Sequence, residues 1–234
     1  MPEFERNVAG IGALSDPVRR DLYLYVCAQQ APVGRDQAAA ALGISRHQAK
    51  FHLDRLEAEG LLETGYARLT GRAGPGAGRP AKLYRRSPRD VAISLPDRQY
   101  ELAGRLMADA ITEAVSTGAP VLSALHRVAA EHGTSLGRAA TASEGAPQGY
   151  AAALDIAIQA LSRSGYEPRL EGVRVIMANC PFHALAQAHT ELICQMNVAL
   201  IGGLADAIAP DELAARLAPG EHRCCVVIEP RDLS

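Results

Sequence analysis

Four of the chain's five cysteines lie late in a 234-residue sequence, as Cys180, Cys194 and the adjacent pair Cys224-Cys225, in the spacing Cys-x13-Cys-x29-Cys-Cys. Thiolates are the preferred donors for soft and borderline metals, so three of them with a fourth ligand suit either Zn2+ or an iron–sulfur cluster. The paired Cys-x2-Cys spacing of zinc ribbons is missing. His183, His189 and Asn197 are nearby residues able to complete or support such a site. The resulting metal-site set is Cys180, Cys194, Cys224, Cys225 and His183. Plainer readings stand beside it: Cys194 as core filling on an apolar helix, His183 as a helix cap, and Cys224-Cys225 as buried strand. Cys180 and His183 could also pair as nucleophile and base. No third orienting residue accompanies them, so the chain is not expected to be an enzyme.

A second group of residues has a different chemistry. Ser45-Arg46-His47-Gln48-Ala49-Lys50 opens a stretch in which Ala49, Leu53 and Leu56 recur at helical spacing, with Phe51 and His52 flanking that stripe. Ser45 is a good N-cap and Gly60 a good C′ residue. Arg46, His47, Gln48 and Lys50 are residue types that reach base edges and phosphates from a helix in the major groove. Farther on, Arg72 and Arg79 sit on a Gly/Pro-rich backbone, able to enter a minor groove or clamp phosphates. No Gly-Lys-Ser/Thr follows those glycines, which excludes a P-loop. The candidate DNA-binding set is therefore Ser45, Arg46, His47, Gln48, Lys50, Arg72 and Arg79.

The elements that must position these groups follow from pattern. Residues 4–14 form a short amphipathic segment. Ser15-Asp16-Pro17 starts a helix whose apolar face is Val18, Leu22, Leu24, Tyr25 and Val26, with Cys27 as a core thiol. Residues 29–33 are a break, and Gly34–Leu42 is a second helix. Gly43 makes the turn into the recognition helix, giving helix, turn, polar-headed helix. Residues 61–69 and 81–85 read as a hairpin around a long loop, a wing. After a linker come helices over 96–116, 121–140 (interrupted by Gly133 and Gly137) and 150–162. A hairpin over 166–178, a helical stretch from Pro181 to Ile208, a short helix over 211–217 and a strand over 224–228 complete the chain. In a single straight helix Cys194 would lie ~18 Å along the axis from the helix start. A break at Thr190 is expected to bring it back toward Cys180. Alternation on the last strand would let only one of Cys224 and Cys225 face a site.

The fold class expected is α+β: an N-terminal winged helix-turn-helix, then a helical C-terminal sensor domain with a small antiparallel sheet. The domains are 1–87 for DNA binding, 88–95 as linker and 96–234 for sensing and dimerisation. Charge agrees with that division. Residues 1–90 carry a balance of +4 and residues 91–234 one of −6, within a chain of net charge −2. A basic segment beside an acidic partner fits nucleic-acid binding by the first part. No uninterrupted apolar run approaches a membrane span and no signal peptide is evident, so a cytoplasmic protein without a membrane partner is expected. Its cysteines are then metal ligands or redox thiols rather than a disulfide framework.

Leu14-Ser15-Asp16-Pro17-Val18-Arg19-Arg20, Leu42 to Leu53, Leu56 to Leu62 and Gly78-Arg79-Pro80-Ala81-Lys82-Leu83-Tyr84 together resemble the winged helix-turn-helix of bacterial regulators of the ArsR and DeoR types. With the later cysteines, the layout resembles the SufR-type regulators, dimeric repressors of iron–sulfur assembly genes that bind a cluster through C-terminal cysteines. That resemblance implies a homodimeric repressor of transcription on double-stranded DNA, with a cluster on Cys180, Cys194 and Cys224. Cys225 is then an extra thiol, and His183 has no counterpart. A weaker similarity, to the four-vinyl-reductase-type sensor domain, implies the alternative: a regulator with a structural Zn2+ and a small-molecule effector.

Overall fold

The computed structural model describes residues 3–67 and 80–231. The chain divides into two units, Met1–Ile93 and Ser94–Ser234.

The first unit runs α1 (Glu3–Ala13), α2 (Pro17–Cys27), β1 (Val33–Gly34), α3 (Arg35–Leu42), α4 (Arg46–Ala58), β2 (Leu62–Ala67) and β3 (Ala81–Arg86). Local chemistry sets most of these boundaries. The Asp16 carboxylate accepts from the Arg19 N–H at 3.0 Å, and Pro17 enters the first turn of α2, where its missing N–H costs nothing. Gly43 takes φ 66°, a left-handed conformation that turns the chain out of α3. Leu22, Val26, Val33, Ala38, Leu53, Leu56, Leu61, Leu62 and Tyr84 form the core. The sheet order is β1-β3-β2, all antiparallel. β1 straddles the end of the stretch read as a break and Gly34, read as the start of the next helix. Two residues carry no periodicity, and Val33 and Gly34 are strand only because they pair with Tyr84 and Leu83. Cys27, expected in the core, is half-buried beside Tyr23.

The second unit contains α5 (Tyr100–Thr117), α6 (Val121–Glu144), α7 (Tyr150–Arg163), β4 (Pro168–Glu171), β5 (Arg174–Met177), α8 (His183–Ala188), α9 (Thr190–Ile208), β6 (Leu213–Leu217) and β7 (Val226–Pro230). Its sheet has the order β4-β5-β7-β6 and is antiparallel throughout. The chain as described mixes helix with small antiparallel sheets.

Three expectations change here. Gly133 and Gly137 do not interrupt their helix: α6 runs unbroken from Val121 to Glu144. The glycines instead admit α9. A Cβ on Gly133 would lie 1.8 Å from the Leu200 carbonyl oxygen, and one on Gly203 would lie 2.1 Å from that of Ala130. Residues 213–217 are strand β6, not helix, because their backbone groups complete the ladder of β7. The helical break after Pro181 falls at His189, one residue before the expected Thr190. The Thr190 hydroxyl donates back to the Ala186 carbonyl at 2.7 Å rather than capping forward.

α9 is long and apolar enough by composition to cross a membrane. It is the central helix of this unit, packing against α6, β6 and β7, with Ile193, Met196, Leu200, Ile201 and Leu204 buried.

Candidate nucleic-acid interface and cysteine site

The head of α4 is built by reciprocal capping. The Gln48 N–H donates to Ser45 Oγ at 3.2 Å, and the Ser45 N–H donates to Gln48 Oε1 at 3.2 Å. Two orphan donors are satisfied at once. The far end closes as a Schellman motif. The Leu61 N–H bonds the Leu56 carbonyl at 2.9 Å and the Gly60 N–H bonds that of Glu57 at 2.8 Å, with Gly60 at φ 73°. Ala49, Leu53 and Leu56 are fully buried, as their spacing predicts.

The remaining α4 side chains divide by what they touch. Arg46 forms a two-point ion pair with Asp36 of α3, at 2.5 and 2.7 Å. Lys50 Nζ lies 3.3 Å from Asp54 Oδ2. His47, Lys50, Phe51, Asp54, Arg55 and Ala58 line a shallow surface depression on the side of the helix away from the core. Phe51 is 60 % exposed, so the expected flanking of the buried stripe does not hold. Arg72 and Arg79 lie outside the described residues.

One polar network ties α4 to the hairpin. Lys82 of β3 pairs with Asp54 Oδ1 at 2.9 Å and with Glu57, and the buried Tyr84 hydroxyl donates to Asp54 Oδ1 at 2.7 Å. Thr64 of β2 donates to Glu57 at 2.6 Å. Burial alone would raise the Asp54 pKa. Hydrogen bonds from Lys82, Tyr84 and Lys50 outweigh it and hold the carboxyl at about 2. Burial and the Asp54 carboxylate push the Tyr84 phenol up. The network was not foreseen, since its members are spread over residues 54–84 and meet only through the strand pairing.

In the second unit the four late cysteines, drawn from three places, form two pairs. Cys180 lies in the loop after β5, Cys194 in the second turn of α9, and Cys224-Cys225 just before β7. Cys194 and Cys225 are joined as a disulfide, with Cα atoms 6.5 Å apart. Cys180 and Cys224 face each other as thiols. Their hydrogen bond draws the Cys180 thiol down to about 7 against the opposing effect of burial, with the Phe182 N–H and the Arg98 charge assisting. The buried Cys224 thiol is pushed up by the same hydrogen bond and by burial. Asn197, one turn beyond Cys194 and fully buried, donates Nδ2–H to Cys224 Sγ at 3.2 Å. The Tyr166 hydroxyl donates to Asn197 Oδ1 and so sets which way the amide points. Asn197 thus stands beside the sulfurs as a supporting residue, as the sequence suggested, whereas Tyr166 has no signal in spacing and only its burial against Asn197 reveals it. As the side chains stand, no group of three metal-ligating residues is found among the described residues.

Alternation was expected to leave only one of Cys224 and Cys225 facing a site. β7 begins at Val226, so both cysteines precede the strand and each meets a different sulfur. His183 stands exposed at the start of α8, where its backbone N–H donates to the Cys180 carbonyl at 3.1 Å. The partners that hold the Cys180 thiol are Cys224, Phe182 and Arg98 instead of that imidazole. His189, at the α8–α9 break, is exposed as well.

The start of the second unit clasps the cysteine loop. Asn179 Nδ2–H donates to the Asp97 carbonyl at 3.0 Å, Arg98 donates to Asn179 Oδ1 and, at 3.3 Å, to the Cys180 carbonyl. The Gln99 N–H reaches the Pro181 carbonyl at 3.0 Å.

A family model described as a helix-turn-helix domain matches residues 14–65, the span from the end of α1 into β2. No curated protein and no solved structure matches the chain. Residues 14–65 carry a helix-turn-helix DNA-binding domain, which supports a DNA-binding transcriptional regulator.

Proposed function

We propose that the protein is a cytoplasmic, homodimeric repressor of the ArsR-like winged helix-turn-helix type, with DNA affinity set by an iron–sulfur cluster or metal at its cysteines. The observation that carries the sensing half is the pairing of Cys180 with Cys224 and of Cys194 with Cys225, joined in sequence through the adjacent Cys224-Cys225. With the Cys194–Cys225 bond reduced, this donor set is all sulfur, which fits thiolate-preferring iron and zinc. Cys180, Cys194 and Cys224 would hold a cluster, and Cys225 supplies a fourth sulfur. A cluster there would make the state of the site depend on iron supply and redox conditions. The chain's own residues do the rest. Asn197 directs an N–H at Cys224, Tyr166 orients Asn197, and Arg98 holds the Cys180 loop against the segment that follows the first unit. A change at the sulfurs therefore acts first on residues 97–99.

On DNA, Ser45 and Gln48 stiffen the head of α4 while Arg46, His47 and Lys50 face the duplex, with Arg72 and Arg79 acting from the wing. Two such helices, about 34 Å apart in a dimer, would enter successive major grooves. Ile111 and Val115, exposed on α5, are available for self-association.

The test is a visible-range absorption spectrum with iron, sulfide and zinc analysis on protein purified without oxygen. Broad absorption near about 400 nm with iron and sulfide supports the cluster. Stoichiometric zinc without iron refutes it. That result would favour a structural zinc and a small-molecule effector, for which an open groove of about 570 Å³ lined by Leu122, His126, His189 and Gln195 is the place to look.

A further inference from the structure

The outward face of α4 carries a side chain that the hydrogen-bonding account of recognition does not use. At about 100° per residue, His47, Phe51 and Ala58 lie roughly opposite Ala49, Leu53 and Leu56. Phe51 and Arg55 follow His47 at successive steps of four, so the three line up along the helix. The phenyl ring is 60 % exposed, supported on one edge by the His52 ring with centroids 5.2 Å apart at 75°. Among the described residues, the depression around it is lined by His47, Lys50, Asp54, Arg55 and Ala58 of its own helix.

Polar residues at the head of the helix have partners within the protein, the ion pairs among them exposed and open to exchange for phosphate. Ser45 and Gln48 cap each other, Arg46 is held by Asp36, and Lys50 leans on Asp54. The Asp54 carboxylate, which would repel phosphate, is neutralised by Lys82 and bonded by Tyr84. Beside them an apolar ring points outward between His47 and Arg55, the latter paired with Glu59 at 2.5 Å. In a major groove the one apolar feature that distinguishes bases is the thymine C5-methyl group.

We propose that Phe51 is a specificity-determining residue that packs its ring on a thymine methyl, selecting thymine at one position in each half-site. This rests on the DNA-binding reading above and adds the base that the helix prefers.

The test uses the full chain and a pool of duplexes with a randomised core of about 30 base pairs, long enough for two half-sites. Selected duplexes are resynthesised with each thymine replaced in turn by deoxyuridine, which removes only the methyl. One position per half-site should lose about fourfold in affinity, the equivalent of ~0.8 kcal/mol per buried methyl at 1.4 kcal/mol per tenfold. Phe51→Ala should bind the thymine duplex about as weakly as the unaltered protein binds the uracil one, and should not distinguish the two. Its thermal melting should be unchanged, because the ring is not part of the core. Indifference of the unaltered protein to every replacement overturns the proposal, as does methyl dependence that survives in Phe51→Ala. If Phe51→Ala keeps full DNA affinity and loses self-association in light scattering, the ring is a protein-docking anchor and the proposal is also refuted. A pool that shows no enrichment at all refutes the DNA-binding reading itself, an outcome distinct from the others.

Discussion

Two substitutions of the same kind, Gly133→Ala and Gly104→Ala, should move stability in opposite directions. Both glycines are helical. Alanine in a helix interior is favoured over glycine by about 1 kcal/mol, because glycine loses more backbone freedom on folding. At Gly104 in α5 nothing lies within 4 Å of the added Cβ, so most of that gain should appear. At Gly133 the Cβ would meet the Leu200 carbonyl oxygen at 1.8 Å, that residue's carbonyl carbon at 2.8 Å and the Leu204 nitrogen at 2.9 Å. Carbon–oxygen contacts settle at about 3.3 Å or more. Helices α6 and α9 must therefore separate by roughly 1.5 Å at this point. The atoms met are backbone, which cannot rotate away. Separation loosens the packing of Leu125, Ala129, Leu200, Ile201 and Leu204, all buried. Overpacking of this sort costs about 1–3 kcal/mol or more, and the close backbone approach puts Gly133 at the upper end even after the helix-propensity gain. For a unit of this size about 1 kcal/mol moves Tm by roughly 4 °C. Gly133→Ala should then lower the melting of the second unit by roughly 8–12 °C, and Gly104→Ala should raise it by roughly 2–4 °C, both followed by far-ultraviolet circular dichroism. Equal melting temperatures for the two variants would refute the argument that the α6–α9 approach, rather than backbone freedom, dictates glycine at position 133.

Replacing Arg46 and Lys50 together by alanine removes two exposed ion pairs, each worth about 0–1 kcal/mol, so the fold should persist. Operator affinity should fall, and the slope of log affinity against log salt should shrink by about 2; an unchanged gel shift would refute their role. Asp54 has its folded pKa at about 2, below the ordinary 3.8, so its stabilisation is present above about pH 4 and is lost as pH falls toward 2. Asp54→Asn should flatten that acid limb and cost about 1 kcal/mol at neutral pH once solvent screening is allowed for, read from urea midpoints across pH. Asn197→Leu strips the buried Tyr166 hydroxyl of its acceptor and should cost about 1–3 kcal/mol, and a urea midpoint equal to that of the parent would show the amide to be dispensable.

The parts legible in the sequence are those decided by neighbours within a few residues. Ser45 with Gln48, Asp16 with Pro17, and the glycines at 43 and 60 mark helix ends through local hydrogen bonds and backbone freedom. The spacing of Ala49, Leu53 and Leu56 identifies a buried face whatever lies beneath it. The helix-turn-helix was therefore readable residue by residue, and the cysteine spacing named the sulfurs worth watching. Tertiary structure decided the rest, because it depends on pairings between distant segments. Val33-Gly34 and Leu213–Leu217 are strands only because β3 and β7 offer them partners. Gly133 looked like a helix breaker until α9 was seen to need the space. Cys180 meets Cys224, and Cys194 meets Cys225, only because β5 and β7 are neighbours in the sheet and α9 packs on β7 and β6. Phe51 is exposed for the same kind of reason. Periodicity says which residues share a helix face, but only the packing of α2, α3 and the hairpin on the opposite side of α4 determines which face water, or DNA, can reach.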